Sequence, residues 1–312
     1  MKTKYSFLTI LLTLILLFTG CTQLAGDTSK EEGKLQVYAS IYPVAYFAQK
    51  IGGEQVQVIQ LVPTGVEPHD FEPKAKDLAR MYHADLFLYN GIGMEGWIER
   101  LQSTLTKDTL VVNTSEGIEL LPWTGKSDHE HNSSHKGEMD PHIWLDPMRA
   151  KQQAARIRDA LIEVDPEHQN QYEENYDQLA QELDDLDKQI AEVVKKGKRK
   201  EFIVSHGAFG YLADRYGLKQ IAVSGLTPSA EPSAQELKEL IQLAKDQKID
   251  VILFEPLVSG KVAEVVRKEV GAQARELNPI EGLTAEDVKN NEDYFSLMKK
   301  NIESLKWALE AM

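Results

Sequence analysis

PEHQNQYEENYDQLAQELDDLDKQIAEVVKKG, residues 166–197, decides how the rest of the chain is read. Tyr172, Tyr176, Leu179, Leu183, Leu186, Ile190 and Val193 recur every three or four residues, which draws one apolar stripe down a long helix. The remaining faces are charged. Acidic residues crowd the first half while Lys188, Lys195, Lys196 and Lys198 gather towards the end, as the helix dipole favours, and Gly197 offers a stop. About thirty residues at roughly 1.5 Å each span about 45 Å, the width of a domain. Two readings follow: a coiled-coil or ordinary packing helix, or a single rigid connector that packs its stripe against two α/β domains.

Working outward to the N-terminus, Lys2 and Lys4 precede an uncharged run from Tyr5 to Gly20 rich in Leu and Ile, with Cys21 at its end. A basic stretch before an apolar stretch of this length describes an export signal (residues 1–20). The polar segment 21–34 then reads as a flexible tether. An uncleaved membrane anchor is the alternative, and either way the soluble body is expected outside the cytoplasmic membrane. That body, roughly 290 residues, is large enough for two cores. Beyond Cys21 it has no cysteine, so neither disulfides nor thiolate ligands are available to its core. With Lys2 and Lys4 gone, the formal charge of −14 becomes −16. This opposes nucleic-acid binding and favours cations only weakly.

On either side of the connector, strands alternate with helices. Before it, 35–43, 55–62, 84–91 and 110–113 read as strands, with helices through about 51 and over about 74–82, 94–105 and 148–164. After it, 201–205, 219–224 and 249–254 read as strands, with helices over about 208–216, 233–245, 259–269 and 291–311. The spacing predicts two similar lobes, 35–165 and 198–312, each with a largely parallel sheet covered on both faces. No short sequence repeat relates them. Residues 122–139, PWTGKSDHEHNSSHKGEM, break the alternation and are expected to form a mobile surface loop carrying His129, His131 and His135.

His69 in VPTGVEPHDFEP, His142 in MDPHIWLDP and His206 in VSHGAFGYLA each read as standing at or just beyond a strand end, beside a turn former. Ligands collect outside the carboxyl ends of strands in doubly wound sheets, so histidines delivered there by both lobes would face one another. Any one of them alone reads as a histidine satisfied by its turn. Neutral imidazole suits Zn²⁺, and a carboxylate would complete a tetrahedron and offset charge. Glu281 in ELNPIEGLT is the candidate, against the plainer reading of a surface glutamate before a glycine. Acceptors for the outer ring nitrogens should come from among Glu67, Glu72, Asp140, Asp146, Glu231 and Glu255, with Trp144 and Phe209 read either as apolar walls or as plain core.

With these segments in view, the whole chain resembles the metal-binding lipoproteins of bacterial ABC importers for zinc and manganese, the cluster A-I solute-binding proteins, and more narrowly their zinc branch. VPTGVEPHDFEP, DPHIWLDP, SHGAFGYLADRYGL and NPIEGLT match the four ligand segments of that family in order. The resemblance implies His69, His142, His206 and Glu281 as metal ligands, His206 standing where manganese-type members carry glutamate and Glu281 where they carry aspartate. It implies a periplasmic-binding-protein-like fold, lipidation at Cys21, and a lipid-anchored position on the extracellular side of the cell membrane. It also implies a permease and a cytoplasmic ATPase as partners. For His129, His131 and His135 it implies an auxiliary metal loop, which solvated disorder with incidental binding would equally explain.

The expected function is capture of Zn²⁺ as cargo by a monomer, without catalysis. A stiff connector predicts small rocking rather than a wide hinge. Three nitrogens and one carboxylate favour Zn²⁺ over Mn²⁺, and histidine protonation should weaken binding below about pH 6.5. Manganese capture is the first alternative. A zinc hydrolase is a second, opposed by the absence of HExxH and by Glu281 in the position a water would need. A structural or adhesive lipoprotein is the third.

Overall fold

A computed structural model describes residues 33–102, 105–123, 139–225, 228, 233–257 and 261–311. Cys21, Glu231 and the three histidines of the 122–139 segment lie outside them. Among the described residues no helix is long and apolar enough to cross a membrane.

Two four-stranded sheets, all parallel, carry the described chain. The first runs β2-β1-β3-β4, from β1 (Leu35–Ala39), β2 (Val56–Gln60), β3 (Leu86–Tyr89) and β4 (Leu110–Asn113). The second runs β6-β5-β7-β8, from β5 (Glu201–Val204), β6 (Lys219–Ala222), β7 (Val251–Phe254) and β8 (Gln273–Glu276). Strand order reverses at the same place in both, between the first strand and the third. Loops leaving the carboxyl ends there diverge and open a crevice.

Alternation along the inner strands divides their side chains between two layers. Val37, Ala39, Leu86 and Leu88 enter the main core while Tyr38 and Phe87 enter a smaller cluster with Met81, Trp97 and Leu101. In the second sheet Phe202, Val204, Val251 and Leu253 join that same main core, and Ile203 and Ile252 turn outward to Leu240, Ala244 and Val266. One continuous core therefore backs both sheets.

The connector opens with a tight turn, Pro166–His168, and continues as the 28-residue helix α5 (Gln169–Lys196). Asp165 anchors its start by accepting from the Tyr172 hydroxyl and from His168 Nδ1, each at 2.6 Å. Tyr172, Leu179, Leu183, Leu186, Ile190 and Val193 are buried as the periodicity requires; Tyr176 is half-buried beneath the Arg158 guanidinium. The stripe packs on α1 (Tyr42–Gly52) and α4 (Pro147–Val164) of the first lobe and on α6 (Gly210–Tyr216) and α10 (Tyr294–Ala308) of the second. Each buried Leu or Ile contributes about 1.5–3 kcal/mol. Truncating the fully buried Leu183 to alanine would cost about 2–5 kcal/mol.

The remaining helices are short or peripheral: α2 (Ala75–Arg80), α3 (Ile98–Gln102), α7 (Ala234–Asp246), α8 (Lys261–Val270) and α9 (Ala285–Lys289). Three sequence expectations shift. The first strand stops at Ala39, and Pro43 sits in the first turn of α1, where its missing N–H costs nothing. β8 carries the sequence QARE on an exposed sheet edge, so no apolar pattern announced it. The five-residue α9 is also additional; its start is marked by Thr284 and Asp287 in reciprocal bonds to each other's backbone.

Candidate metal centre

His69 lies nine residues past β2 in a tight turn, Pro68–Asp70, whose entry residue Glu67 accepts from the His69 backbone N–H at 3.2 Å. His206 follows β5 by two residues. His142 departs from expectation: it stands far beyond β4, at the mouth of the tight turn Ile143–Leu145, rather than at a strand end. The Pro122–Met139 bridge and the bond from Asp140 N to Leu121 O, 3.0 Å, return the chain to this position.

Glu281 is aimed by strain. Ile280, before it, has φ +57°, a conformation that costs a β-branched residue about 1–2 kcal/mol. Asn278 Oδ1 holds it by accepting from Ile280 N at 2.8 Å, and the buried Asn301 of α10 fixes Asn278 through both its backbone N–H and its carbonyl. The first lobe grips the same segment: Trp144 Nε1 donates to Pro279 O at 2.8 Å and Tyr42 N to Glu281 O at 3.2 Å. Sequence reasoning missed Asn278 and Asn301; an asparagine directly before Pro279 is the one local sign of a turn.

The four predicted ligands meet. Nε2 of His142 lies 3.2 Å from Nε2 of His69, 3.5 Å from Nε2 of His206 and 2.9 Å from Oε1 of Glu281. That oxygen is 3.6 Å from His69 Nε2 and 3.4 Å from His206 Nε2. Bonds of about 2.0–2.2 Å from a central Zn²⁺ give tetrahedral edges of about 3.3–3.6 Å; these five of the six separations lie within a few tenths of an ångström of that, and all four donors lie within 4.8 Å of one another. Among the described residues this is the one group of histidines and carboxylates with donor atoms so gathered.

Carboxylates face the outer nitrogens of two of the three rings. His142 Nδ1 is 2.7 Å from Asp140 Oδ1, and because a carboxylate only accepts, the proton stands on Nδ1 and the Nε2 lone pair faces inward. His206 Nδ1 lies 2.5 Å from Glu255 Oε2, off the ring N–H direction, so charge more than a directed bond holds it. Glu255 Oε1 also accepts from His206 N and from the Ser205 hydroxyl. Of the other proposed acceptors, Glu72 is exposed and pairs with Arg100, and Asp146 caps α4 through Met148 N. Neither touches a ligand. Trp144 and Phe209 are fully buried, and the Trp144 ring centre is 5.4 Å from that of His142.

Three imidazole nitrogens and a carboxylate oxygen crowd one point, and a cation there satisfies them together. Without metal, protons serve: burial opposes charge on His142 and His206, yet Asp140 and Glu255 respectively, with Glu281, raise the first and carry the second well above the ordinary imidazole value. Burial would likewise raise Glu281, but His142, His206 and His69 hold it well below the carboxylate range. Glu67 is pushed up to about 8 by burial and by the charge of Glu281.

The protein-family model described as "Zinc-uptake complex component A periplasmic" matches residues 37–308. The chain belongs to this zinc-uptake family. Within it, the chain is 40% identical over 284 residues to the zinc-binding lipoprotein AdcA of Streptococcus pneumoniae, covering 90% of this chain and 57% of that protein. It is 38% identical over 315 residues to the high-affinity zinc uptake system protein ZnuA of Bacillus subtilis, covering 98% of each. The chain thus spans just over half the length of the streptococcal relative and nearly all of the Bacillus one. The crystal structure of the Zn(II)-bound ZnuA-like domain of Streptococcus pneumoniae AdcA superposes with a TM-score of 0.77 at 40% identity, over 89% of this chain and 100% of that one.

Proposed function

We propose that this chain captures Zn²⁺ reversibly, through His69, His142, His206 and Glu281, and surrenders it to an ABC importer. The observation that carries this reading is that five of the six donor separations fall at 2.9–3.6 Å, with a carboxylate facing the outer nitrogen of two of the three rings. Two relatives named as a zinc-binding lipoprotein and a zinc uptake system protein support zinc as the cargo.

Four protein atoms fill a tetrahedron and leave no position for a substrate water, which favours carriage over hydrolysis. Residues 1–20 act as an export signal, Cys21 takes the lipid, and 21–34 tether the body outside the membrane, where a permease and its cytoplasmic ATPase receive the metal. The lobes, 35–165 and 198–312, act as one receiver about the connector 166–197.

Titration with Zn²⁺ against a chromophoric chelator tests the assignment. One ion per chain, with affinity abolished in His142→Ala, is the expected result; stoichiometric zinc uptake by that variant sinks it. The manganese reading is tested at one residue. His206→Glu should move preference towards Mn²⁺ by trading a nitrogen for an oxygen donor.

A further inference from the structure

Gly207 and Gly210 in the segment HGAFG have no conformational need to be glycine, since neither has a positive φ. Each instead stands where a side chain from before the connector enters. A Cβ at Gly207 would lie 2.0 and 2.3 Å from Cη2 and Cζ3 of Trp123, and a Cβ at Gly210 would lie 2.4 Å from Oδ2 of Asp140. Contacts that short do not occur, so a methyl at either place must displace something.

The surroundings decide what moves. The turn is pinned from β6, where Gln220 accepts from Phe209 N at 2.8 Å and donates to Gly207 O at 3.3 Å; Gly207 N also donates to Gly225 O at 2.9 Å. Asp140 is fastened on several sides as well. Its Oδ1 accepts from His142 N and Nδ1, its carbonyl accepts from the Tyr211 hydroxyl at 2.7 Å, and its N–H donates to Leu121 O. Moving Asp140 off Gly210 releases the His142 ring. Moving Gly207 off Trp123 shifts the residue joined to His206.

We infer that Gly207 and Gly210 are positioning residues for the metal centre: they keep open two sockets through which Trp123 and Asp140 of the first lobe set the places of His206 and His142. Each lobe thereby fixes a ligand with the help of the other. The inference rests on the zinc reading above, and it makes the two sockets behave differently when emptied. Trp123 only fills space at Gly207, so removing it relieves an added methyl completely. Asp140 both fills space at Gly210 and holds His142, so removing it relieves the clash but leaves the ring unheld.

The test compares Trp123→Ala, Gly207→Ala, Gly207→Ala/Trp123→Ala, Gly210→Ala and Gly210→Ala/Asp140→Ala with wild type. Zinc affinity is read by chelator competition, Co²⁺ absorption as a signature of tetrahedral geometry, and metal-free thermal stability as the folding control. Both single variants should lose about 10–100-fold in zinc affinity, the usual range for groups that orient a ligand, with altered Co²⁺ bands. Gly207→Ala/Trp123→Ala should return towards the affinity of Trp123→Ala alone, within about twofold, because the clash is gone. Gly210→Ala/Asp140→Ala should regain metal-free stability while its zinc affinity stays weak. If either single variant proves too unstable to purify, its double variant is expected to fold because the clash is gone, and failure of both doubles to fold would count against the sockets. Wild-type affinity and Co²⁺ bands in Gly210→Ala, or a Gly207→Ala/Trp123→Ala affinity well below that of Trp123→Ala, would overturn the inference. A wild-type protein that takes up no zinc would instead overturn the zinc reading, leaving the sockets as packing only.

Discussion

The two lobes carry the same device at the same place and put it to different use. In the first sheet Ser40 follows β1, its N–H donates to Leu88 O of β3, its carbonyl accepts from Val62 N, and its hydroxyl donates to Glu95 at 2.6 Å. In the second, Ser205 follows β5, its N–H donates to Leu253 O of β7, its carbonyl accepts from Ser224 N, and its hydroxyl donates to Glu255. A buried serine–glutamate pair thus closes the switch point of each sheet. What comes next differs: the second lobe places His206 there, and the first places the buried, apolar Ile41. Glu255 faces a ligand with its second oxygen, while Glu95 spends both oxygens on Ser40, Asn90 N and Gly91 N. The carboxylate is structural by origin of place, and becomes part of the metal centre only where an imidazole stands beside it.

The sharpest way to break this comparison is to remove what distinguishes the lobes. His206→Ala should lower zinc affinity by more than about 100-fold, beyond the range of orienting groups. Ile41→Ala should leave it near wild type and cost stability instead, about 2–5 kcal/mol by denaturant unfolding. Comparable losses of zinc affinity in both would show the contrast to be false.

Substituting the carboxylates sharpens it further. Glu255→Gln should weaken zinc binding about 10–100-fold with metal-free stability nearly kept. Glu95→Gln should do the reverse, since an amide presented to backbone N–H groups in a buried pocket costs about 1–3 kcal/mol while the ligands stay put. Isothermal titration and thermal melts of the metal-free variants read the two effects separately.

Protons and zinc compete for the same inward nitrogens, which gives a smaller and graded effect. His142 and His206 have raised affinity for protons in the folded, metal-free state because Asp140, Glu255 and Glu281 outweigh burial. That contribution to stability is present in full below the unfolded imidazole value of about 6.5 and is lost as pH rises through the folded values. Zinc stabilisation runs the opposite way. At a fixed zinc concentration the rise in Tm on adding metal should therefore shrink between about pH 7.5 and about pH 5.5. A constant increment would mean that the ion is not bound by these imidazoles.

The smallest expected effect is motion. Both lobes share one core, and Trp144, Tyr294 and Pro279 are chained across it, Tyr294 donating to Trp144 O at 2.6 Å and Trp144 donating to Pro279 O. Scattering or crystal structures with and without zinc should differ by a lobe rotation well under about 20°, set against the wide hinge closures of strand-linked binding proteins. A larger rotation would break the picture of one receiver.

Much of this was legible in the sequence because the informative residues are periodic or paired with turn formers. The connector's stripe and the inner strands follow from spacing that burial imposes; turn formers singled out His69, His142, His206 and Glu281 as candidates, and the resemblance to a known family joined them into one ligand set. The repeated serine–glutamate pair was not, because its glutamates stand at different distances from their strands: Glu255 directly follows β7, whereas Glu95 lies six residues beyond β3. β8 was hidden by its polar, solvent-facing edge, and His142 was misplaced because the segment before it interrupts the strand-to-loop logic. Acceptor assignment failed for a different reason. Six carboxylates stood near the ligand segments in sequence, and only three-dimensional approach separates Asp140 and Glu255 from Glu72, which faces water beside Arg100.

The connector's double allegiance bears on how this protein can be cut. Its apolar edge is covered by α1 and α4 on one side of the chain and by α6 and α10 on the other. A fragment ending after residue 197 would keep the helix but bare the surface that α10 covers, and a fragment starting at 198 would expose the matching face of α10. Neither half is then a smaller version of the whole, and expressing either alone should yield sticky, poorly soluble material rather than a half-site for metal.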